Sequence, residues 1–137
     1  MEKQREIIKD LKPVKIAIVG SRSFSDYEAL SSYIQSKCEE LYIIPCMIIS
    51  GGAKGTDLLA QRYAQEHNIP INVFSPDWKQ FGRAAGIIRN RDIIESCDIC
   101  FAFWDGASRG TKHDIDYCAR VNKPCYVSTN LNPNKYQ

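Results

Sequence analysis

The sequence lacks a long apolar run, a surplus of charge of one sign and the common phosphate-binding signatures. No apolar run approaches the ~20 residues that span a bilayer, and the opening MEKQREIIKD lacks the apolar core of a secretory signal. We therefore expect a cytoplasmic protein with no membrane partner. The 137 residues carry 18 Lys and Arg against 16 Asp and Glu. This near balance disfavours duplex DNA as a partner, because such binding needs many phosphate-neutralising cations.

Two glycine signatures are also absent. The spacing GxxxxGK[ST] of P-loops does not occur, and neither does the GxGxxG of dinucleotide-binding folds. Hydrolysis of nucleoside triphosphates and NAD-dependent hydride transfer are therefore disfavoured, and we predict no cofactor.

The six cysteines do not form a recognisable disulfide or metal-binding framework. Cys97 and Cys100 make a lone CxxC without a second pair. If residues 98–104 form a strand, the period of two turns these side chains to opposite faces, which is poor geometry for holding one metal ion. Most of the cysteines lie in apolar or helical patterns, where cysteine acts as a small hydrophobe. We expect reduced thiols and no metal site.

Length and composition indicate one globular domain. A chain of 137 residues buries roughly 70% of the surface of its unfolded form, which suits one hydrophobic core. The 44% hydrophobic and 25% charged residues lie near globular averages. We expect a single domain over residues 1–137, with a core at about 14–128. An N-terminal extension over 1–13 is expected to contain an extra helix, and residues 129–137 a polar tail.

Five short apolar runs indicate buried strands, and four helical patterns separate them. The predicted strands are 14–19, 46–50, 71–74, 98–104 and 124–128. The predicted helices lie around 30–41, 59–64, 84–96 and 115–119, the first beginning with a capping box of Ser25 and Glu28. This alternation indicates right-handed crossovers. We predict an α/β fold, a three-layer Rossmann-like domain with a five-stranded, mainly parallel sheet in the order 3-2-1-4-5.

Glycine-rich loops follow the first, second and fourth predicted strands, at residues 20–23, 50–57 and 105–111. In open parallel sheets, ligands bind outside the carboxyl ends of the strands, where the strand order reverses. The predicted order makes these loops neighbours, so we expect one pocket. Glycine amides and the N-terminal ends of the following helices suit phosphate. The alternative for each loop is that its glycines only form a turn.

The residues predicted to bind the ligand come from all three loops. A phosphate cradle is expected from Gly51, Gly52, Gly55, Gly110 and Thr111. The other predicted ligand-binding residues of these loops are Gly20, Ser21, Arg22, Ala53, Thr56, Asp57, Gly106 and Ser108.

Several side chains near these loops have a functional and a structural interpretation. We expect Arg22 to clamp an anion with its planar guanidinium, whereas Arg91 is either such a clamp or part of a surface ion pair. Asp57 is the candidate catalytic residue, although the first turn of a helix favours acids in any case. Tryptophans 78 and 104 either stack on a base or belong to the core. His113 is expected to be structural or solvent-facing.

Taken in order, four motifs resemble the SLOG superfamily of Rossmann-like proteins, which contains the DprA and LOG proteins, and most closely its YspA-type branch. The resemblance covers residues 15–127 and rests on residues 18–22, 50–57, 86–92 and 103–111. It implies a pocket for a nucleotide or a nucleotide-derived ligand, and it assigns Asn90 and Arg91 to that pocket.

Three classes of function follow from the resemblance. The leading hypothesis is binding of a nucleotide-derived small molecule, for sensing or processing. The first alternative is LOG-like hydrolysis of the N-glycosidic bond of a nucleoside monophosphate. LOG enzymes carry a glutamate shortly after GGxGT, whereas here GGAKGT is followed by Asp57 and that glutamate is absent. Asp57 or Asp105 would have to replace it by stabilising an oxocarbenium-like centre. The second alternative is a module that binds single-stranded nucleic acid or a protein. Rossmann-like domains often pair through helices, so a homodimer is also expected.

Overall fold

The computed structural model describes residues 10–129. The predicted extension falls mainly, and the predicted tail almost wholly, on residues outside this range. Five strands are present: β1 (Lys12–Gly20), β2 (Ile43–Ser50), β3 (Ile71–Val73), β4 (Ile99–Phe103) and β5 (Cys125–Ser128). The helices are α1 (Tyr27–Leu41), α2 (Thr56–Glu66), α3 (Trp78–Phe81), α4 (Ala85–Ser96) and α5 (Arg109–Arg120), and a 3-10 turn at Gly82–Ala84 joins α3 to α4.

All strand pairs of the sheet are parallel, and their order is β3-β2-β1-β4-β5. The predicted α/β, Rossmann-like fold and its strand order are therefore confirmed. The order reverses beside β1, because the chain first moves outward to β2 and β3 and then returns to β4. The carboxyl ends of β1 and β4, which pair from Ile16 with Ile99 to Gly20 with Phe103, consequently end side by side.

Two apolar clusters cover the two faces of the sheet. On one face, Leu30 and Ile34 of α1 and Ala60 of α2 pack on strand residues that include Ile18 and Phe101. On the other face, Ile94 of α4 and Cys118 of α5 pack on Ala17, Ile49 and Cys100. Both faces of β4 are buried over its whole length, which explains why its sequence is a continuous apolar run without alternation.

Three local details differ from the prediction. The N-cap of α1 is Asp26, whose Oδ1 accepts a hydrogen bond from the Ala29 amide, so the predicted capping box at Ser25 was wrong. β2 begins before its predicted start at Cys46, because the register between β1 and β2 shifts after Val14 and so tolerates Pro45 within the strand. The short helix α3 was not predicted.

Within residues 10–129, no helix has the length and apolar character needed to cross a membrane.

Two leucines on helices give a matched test of this core. Leu30 of α1 is fully buried, whereas Leu58 of α2 is 53% exposed. We expect Leu30→Ala to lower the free energy of unfolding by about 2–5 kcal/mol, because it removes buried surface and leaves a cavity. Leu58→Ala should change it by less than about 0.5 kcal/mol. Urea denaturation followed by circular dichroism measures both, and equal losses would contradict this assignment of the core.

Candidate functional site

A cleft of about 410 Å³ lies at the carboxyl ends of the strands. Its walls come from the loops after β1, β2 and β4 and from the inner faces of α4 and α5. The three glycine-bearing loops, which are far apart along the chain, therefore meet around one space, as the predicted strand order required. The residues that line the cleft are Val19, Gly20, Ser21, Arg22, Ser23, Gly51, Ala53, Asp57, Arg89, Asn90, Ile93, Asp105, Ser108, Gly110, Thr111 and Asp114.

Ser21 connects the three loops through its own peptide group and hydroxyl. Its carbonyl oxygen accepts hydrogen bonds from the amide and the hydroxyl of Thr56, at 3.3 and 2.9 Å. The Ser21 amide donates to the carbonyl oxygen of Phe103 at 2.9 Å, and its hydroxyl oxygen accepts from the Asp105 amide at 3.2 Å. Ser21 and Thr56 are both buried, so the bonds between these two residues are shielded from water.

The start of α2 approaches the loop after β1 so closely that only glycine fits at its N-cap. Gly55 has a φ of +68°, a conformation that residues with a side chain rarely adopt. A Cβ at this position would also overlap the carbonyl group of Arg22. The glycine at position 55 therefore allows the loop after β2 to pack directly against the loop after β1.

Asp57 and Arg89 stabilise the loop after β2 from inside the cleft. Asp57 Oδ2 accepts a hydrogen bond from the Ala53 amide at 3.0 Å. Arg89 Nη1 donates to the carbonyl oxygen of Gly51 at 2.8 Å, and Arg89 Nε donates to Oδ1 of Asn90 at 2.7 Å. The loop amide of Ala53 is thus already occupied by a carboxylate of the protein, so it is not free for a phosphate.

In the loop before α5, the carboxylate of Asp105 accepts hydrogen bonds from two backbone amides of the same loop. Asp105 Oδ1 accepts hydrogen bonds from the amides of Ala107 and Ser108, at 2.8 and 2.7 Å. These bonds hold the pKa of Asp105 below its ordinary value. The Ser108 hydroxyl caps Thr111. Among the residues described, the next two amides of the helix, those of Arg109 and Gly110, donate to no protein acceptor.

Two aspartates at the floor of the cleft have pKa values raised mainly by burial. Asp114 of α5 is 6% exposed, and its Oδ1 has no hydrogen-bond partner within residues 10–129. Burial, and then the charge of Asp57, raise its pKa to about 7, against an opposing effect of Arg89. Burial also raises the pKa of Asp57, although the Ala53 amide and Arg89 act in the other direction. The floor therefore contains two carboxyl groups whose pKa values lie above the ordinary value.

The structure brings ten of the fifteen predicted ligand-binding residues to the cleft. Those that line it are Gly20, Ser21, Arg22, Gly51, Ala53, Asp57, Asn90, Ser108, Gly110 and Thr111. Those that do not line it are Gly52, Gly55, Thr56, Arg91 and Gly106. The hydroxyl of Thr56 is committed to Ser21. The guanidinium of Arg91 lies over the ring of Tyr117, 5.2 Å from its centroid, and Tyr117 does not line the cleft either.

The aromatic and histidine candidates lie outside the cleft wall. Trp78 is 60% exposed, and Trp104 donates its indole N–H to the carbonyl oxygen of Ser108 at 3.0 Å. His113 is half-buried, and its Nδ1 has no partner among the residues described. Trp104 therefore has a structural contact.

Sequence reasoning missed Arg89 and Asp114, although both line the cleft. Thr111, Asp114 and Cys118 are the buried residues of α5, at helical spacing on one face. An acid within such a buried stripe is rare unless it is paired, and this was the available signal. Arg89 directly precedes Asn90, which only the resemblance had assigned to the pocket. A single sequence contains no sign that Arg89 contacts Gly51.

Comparisons with known proteins agree with this architecture. A sequence model of the YspA, cpYpsA-related SLOG family matches residues 14–81. The Gene 61 protein of Mycobacterium phage D29 is 31% identical over 118 residues, a match that covers 80% of this chain and 92% of that protein. The structure is similar to DNA processing protein A from Helicobacter pylori, described for its single-stranded DNA binding mode. That similarity has a TM-score of 0.63 and 18% identity, and it covers 96% of this chain and 73% of the other.

Two glycines with positive φ test the contact between the loops. We expect Gly55→Ala to lower the free energy of unfolding by about 2–4 kcal/mol, because the new methyl group both strains the backbone and overlaps Arg22. Gly106 has a φ of +84° but nothing within 4 Å of a Cβ built on it. Gly106→Ala should therefore cost only about 1–2 kcal/mol, the price of the left-handed conformation. Chemical denaturation measures the difference, and an equal cost at both positions would refute the close contact.

Asp114 should make the protein less stable as the pH rises. Its folded pKa of about 7 lies above its ordinary value of 3.8. Between these values the folded state holds a proton that the unfolded state has lost, so the free energy of unfolding falls from about pH 4 to pH 7 and then levels off. We expect Asp114→Asn to flatten this part of the stability curve. Asp116→Asn, an exposed neighbour paired with Lys112, is the control and should leave the slope unchanged. Identical slopes for Asp114→Asn and the unmodified protein would contradict the raised pKa.

Proposed function

Because this chain belongs to the YspA, cpYpsA-related SLOG family, we propose that its cleft binds a nucleotide or another phosphorylated nucleoside derivative. The observation that supports this most directly is the convergence of three loops and the N-terminal end of α5 on one space. Its volume of about 410 Å³ lies within the ordinary range for small-molecule sites.

We assign the phosphate to the end of the cleft formed by α5. The amides of Arg109 and Gly110 have no protein acceptor among the described residues, and they begin a helix of 12 residues whose dipole favours an anion. Gly110 has no atom within 4 Å of the position that a Cβ would take, so a ligand can approach its backbone. Arg22 lines the same cleft from the loop after β1 and supplies a positive charge.

We assign the nucleoside to the floor. Asp57, Asn90 and Asp114 present carboxyl and amide groups there, and ribose hydroxyls or the N–H groups of a base are suitable partners for them. The unpartnered Oδ1 of Asp114 is a buried acceptor whose desolvation a ligand donor would offset. Of the predicted cradle, this proposal keeps Gly110 and Thr111 and adds Arg22. Gly52 and Gly55 do not line the cleft, and Gly51 lines it with its carbonyl oxygen bound to Arg89.

Calorimetric titration with AMP, ADP-ribose, NAD and cyclic nucleotides tests this proposal. We expect at least one of them to bind, and Arg22→Ala to weaken that binding at least about tenfold, because a charged hydrogen bond to phosphate is worth about 1.5–3 kcal/mol. Arg91→Ala is the matched control, since its guanidinium packs on Tyr117. If none of these compounds binds, or if Arg22→Ala and Arg91→Ala change the affinity equally, the phosphate site is contradicted.

The second candidate is hydrolysis of the N-glycosidic bond of a nucleoside monophosphate. It is favoured by the buried Asp114 and the half-buried Asp57 at the floor, because glycoside cleavage uses a protonated acid together with an ionised carboxylate. Asp114, with a pKa of about 7, suits the acid that protonates the leaving base, and Asp57 suits the carboxylate that stabilises the oxocarbenium-like centre. The base leaves with the proton from Asp114, and water adds to the sugar carbon and returns a proton to the Asp114 carboxylate.

Chromatography of nucleoside monophosphates after long incubation distinguishes turnover from binding. Turnover predicts release of free base that Asp57→Asn abolishes, while Asp116→Asn leaves it intact. If the nucleoside monophosphates of all the common bases remain intact, the hydrolase proposal is contradicted and the binding proposal is kept.

Single-stranded nucleic acid remains the other alternative. Exposed cations on the cleft loops favour it, namely Arg22, Lys54 and Arg109. A fluorescent oligonucleotide that binds with strong salt dependence, and that AMP does not displace, would support it over the small-molecule proposal.

We also propose that the protein is located in the reducing cytoplasm and that two copies form a homodimer, as expected from the sequence. Trp78, Phe81 and Ile87 expose large apolar side chains on α3 and α4, which suits pairing of two copies. Light scattering on the purified chain gives the oligomeric state.

A further inference from the structure

Three cysteine thiols converge in the core beneath α5. The Sγ atoms of Cys100, Cys118 and Cys125 all lie within 4.8 Å of one another. We call these three residues the thiol cluster. They are separated along the sequence by up to 25 residues, so only the fold brings them together.

The fold assembles the thiol cluster from three elements. Cys100 on β4 and Cys125 on β5 are register partners in neighbouring parallel strands, so their side chains leave the sheet on the same face. Cys118 on α5 packs over that face, in the same apolar cluster as Cys100. Cys100 and Cys118 are fully buried, whereas Cys125 is partly exposed on the edge strand and offers a route from solvent.

The cluster differs from the CxxC considered in the sequence. Cys97 and Cys100 were expected on opposite faces, but both lie in the same apolar cluster, because β4 begins only at Ile99 and Cys97 belongs to the end of α4. Cys97 contacts the carbonyl oxygen of Ile94 instead of joining the other three thiols. The group with ligand geometry is therefore formed by residues that no local motif connects.

The geometry of the thiol cluster suits a metal ion that prefers sulfur. Sulfur ligands lie about 2.3 Å from Zn²⁺, which puts neighbouring sulfurs of a tetrahedral site ~3.8 Å apart. Sulfurs within 4.8 Å of one another need to move inward by no more than about 1 Å. Thiolates select Zn²⁺ and Cu⁺ and are poor ligands for Mg²⁺ and Ca²⁺, which prefer oxygen.

We propose that Cys100, Cys118 and Cys125 bind one thiophilic d10 cation, Zn²⁺ or Cu⁺. Each thiol gives its proton to solvent as its sulfur bonds to the ion, so no oxidant or reductant takes part. Cu⁺ accepts three sulfurs in a trigonal arrangement, whereas Zn²⁺ takes a water as its fourth ligand. The ion links the edge strand β5 to β4 and α5, so its binding stabilises the folded state.

Metal titration of the full chain, reduced with a non-thiol reductant, tests the proposal. Co²⁺ serves as a coloured substitute for Zn²⁺, and sulfur-to-cobalt charge-transfer absorption reports thiolate ligands. Cu⁺ is titrated without oxygen against a competing chelator. We expect one ion per chain, release of up to three protons on binding, and a higher thermal unfolding midpoint. Preference for Zn²⁺ or for Cu⁺ decides between the two ions, and either result supports the site.

Cysteine variants assign the binding to these residues. Cys118→Ala and Cys125→Ala should each weaken binding at least about tenfold, since loss of even an outer-shell partner of a metal costs that much. Cys38 and Cys46 lie outside the thiol cluster, so the Cys38→Ala and Cys46→Ala variants should bind the metal ion as the unmodified protein does. Circular dichroism without metal checks folding, and if Cys118→Ala does not fold, the partly exposed Cys125 gives the test. No saturable binding, or equal binding by the Cys125→Ala and Cys46→Ala variants, overturns the proposal.

Discussion

The carbonyl oxygen of Ser21 is the atom on which the geometry of the cleft depends. It accepts two hydrogen bonds from Thr56, and the hydroxyl oxygen of Ser21 accepts one from the Asp105 amide. One buried serine therefore connects the loops after β1, β2 and β4. Such contacts are possible because parallel strands β1, β2 and β4 end at the same edge of the sheet. The fold provides the proximity, and Ser21 converts it into a fixed arrangement.

The electrostatics of the cleft follow from this arrangement. The protein supplies its own anions to the loop amides, Asp57 to Ala53 and Asp105 to Ala107 and Ser108. Two amides at the start of α5, those of Arg109 and Gly110, have no protein acceptor among the described residues, whereas Asp114 is buried and Asp57 is half-buried at the floor. The proposed ligand matches these groups, because its phosphate would accept hydrogen bonds from the α5 amides and its hydroxyl or N–H groups would donate to the carboxyl groups.

The sequence predicted most of the fold because each element carries its own local signal. Continuous apolar runs such as Ile99–Phe103 identify strands buried on both faces, and the glycines after them identify the loops. The site was predicted less completely, because its contacts are non-local. Arg89 contacts Gly51 across 38 residues, and Thr56 turns its hydroxyl to Ser21 and not to the cleft. The thiol cluster was missed for the same reason, since register between β4 and β5 is not visible in either strand alone.

The close fit of Gly55 against Arg22 has a consequence for selectivity. Loops held together by buried bonds and by a backbone contact that admits no side chain retain few alternative conformations. If the cleft binds the proposed ligand, little loop entropy is lost on binding, because the loops already have their bound arrangement. Under that proposal, discrimination between ligands depends on how well their shapes fit a preformed cleft, and not on the closure of a mobile loop.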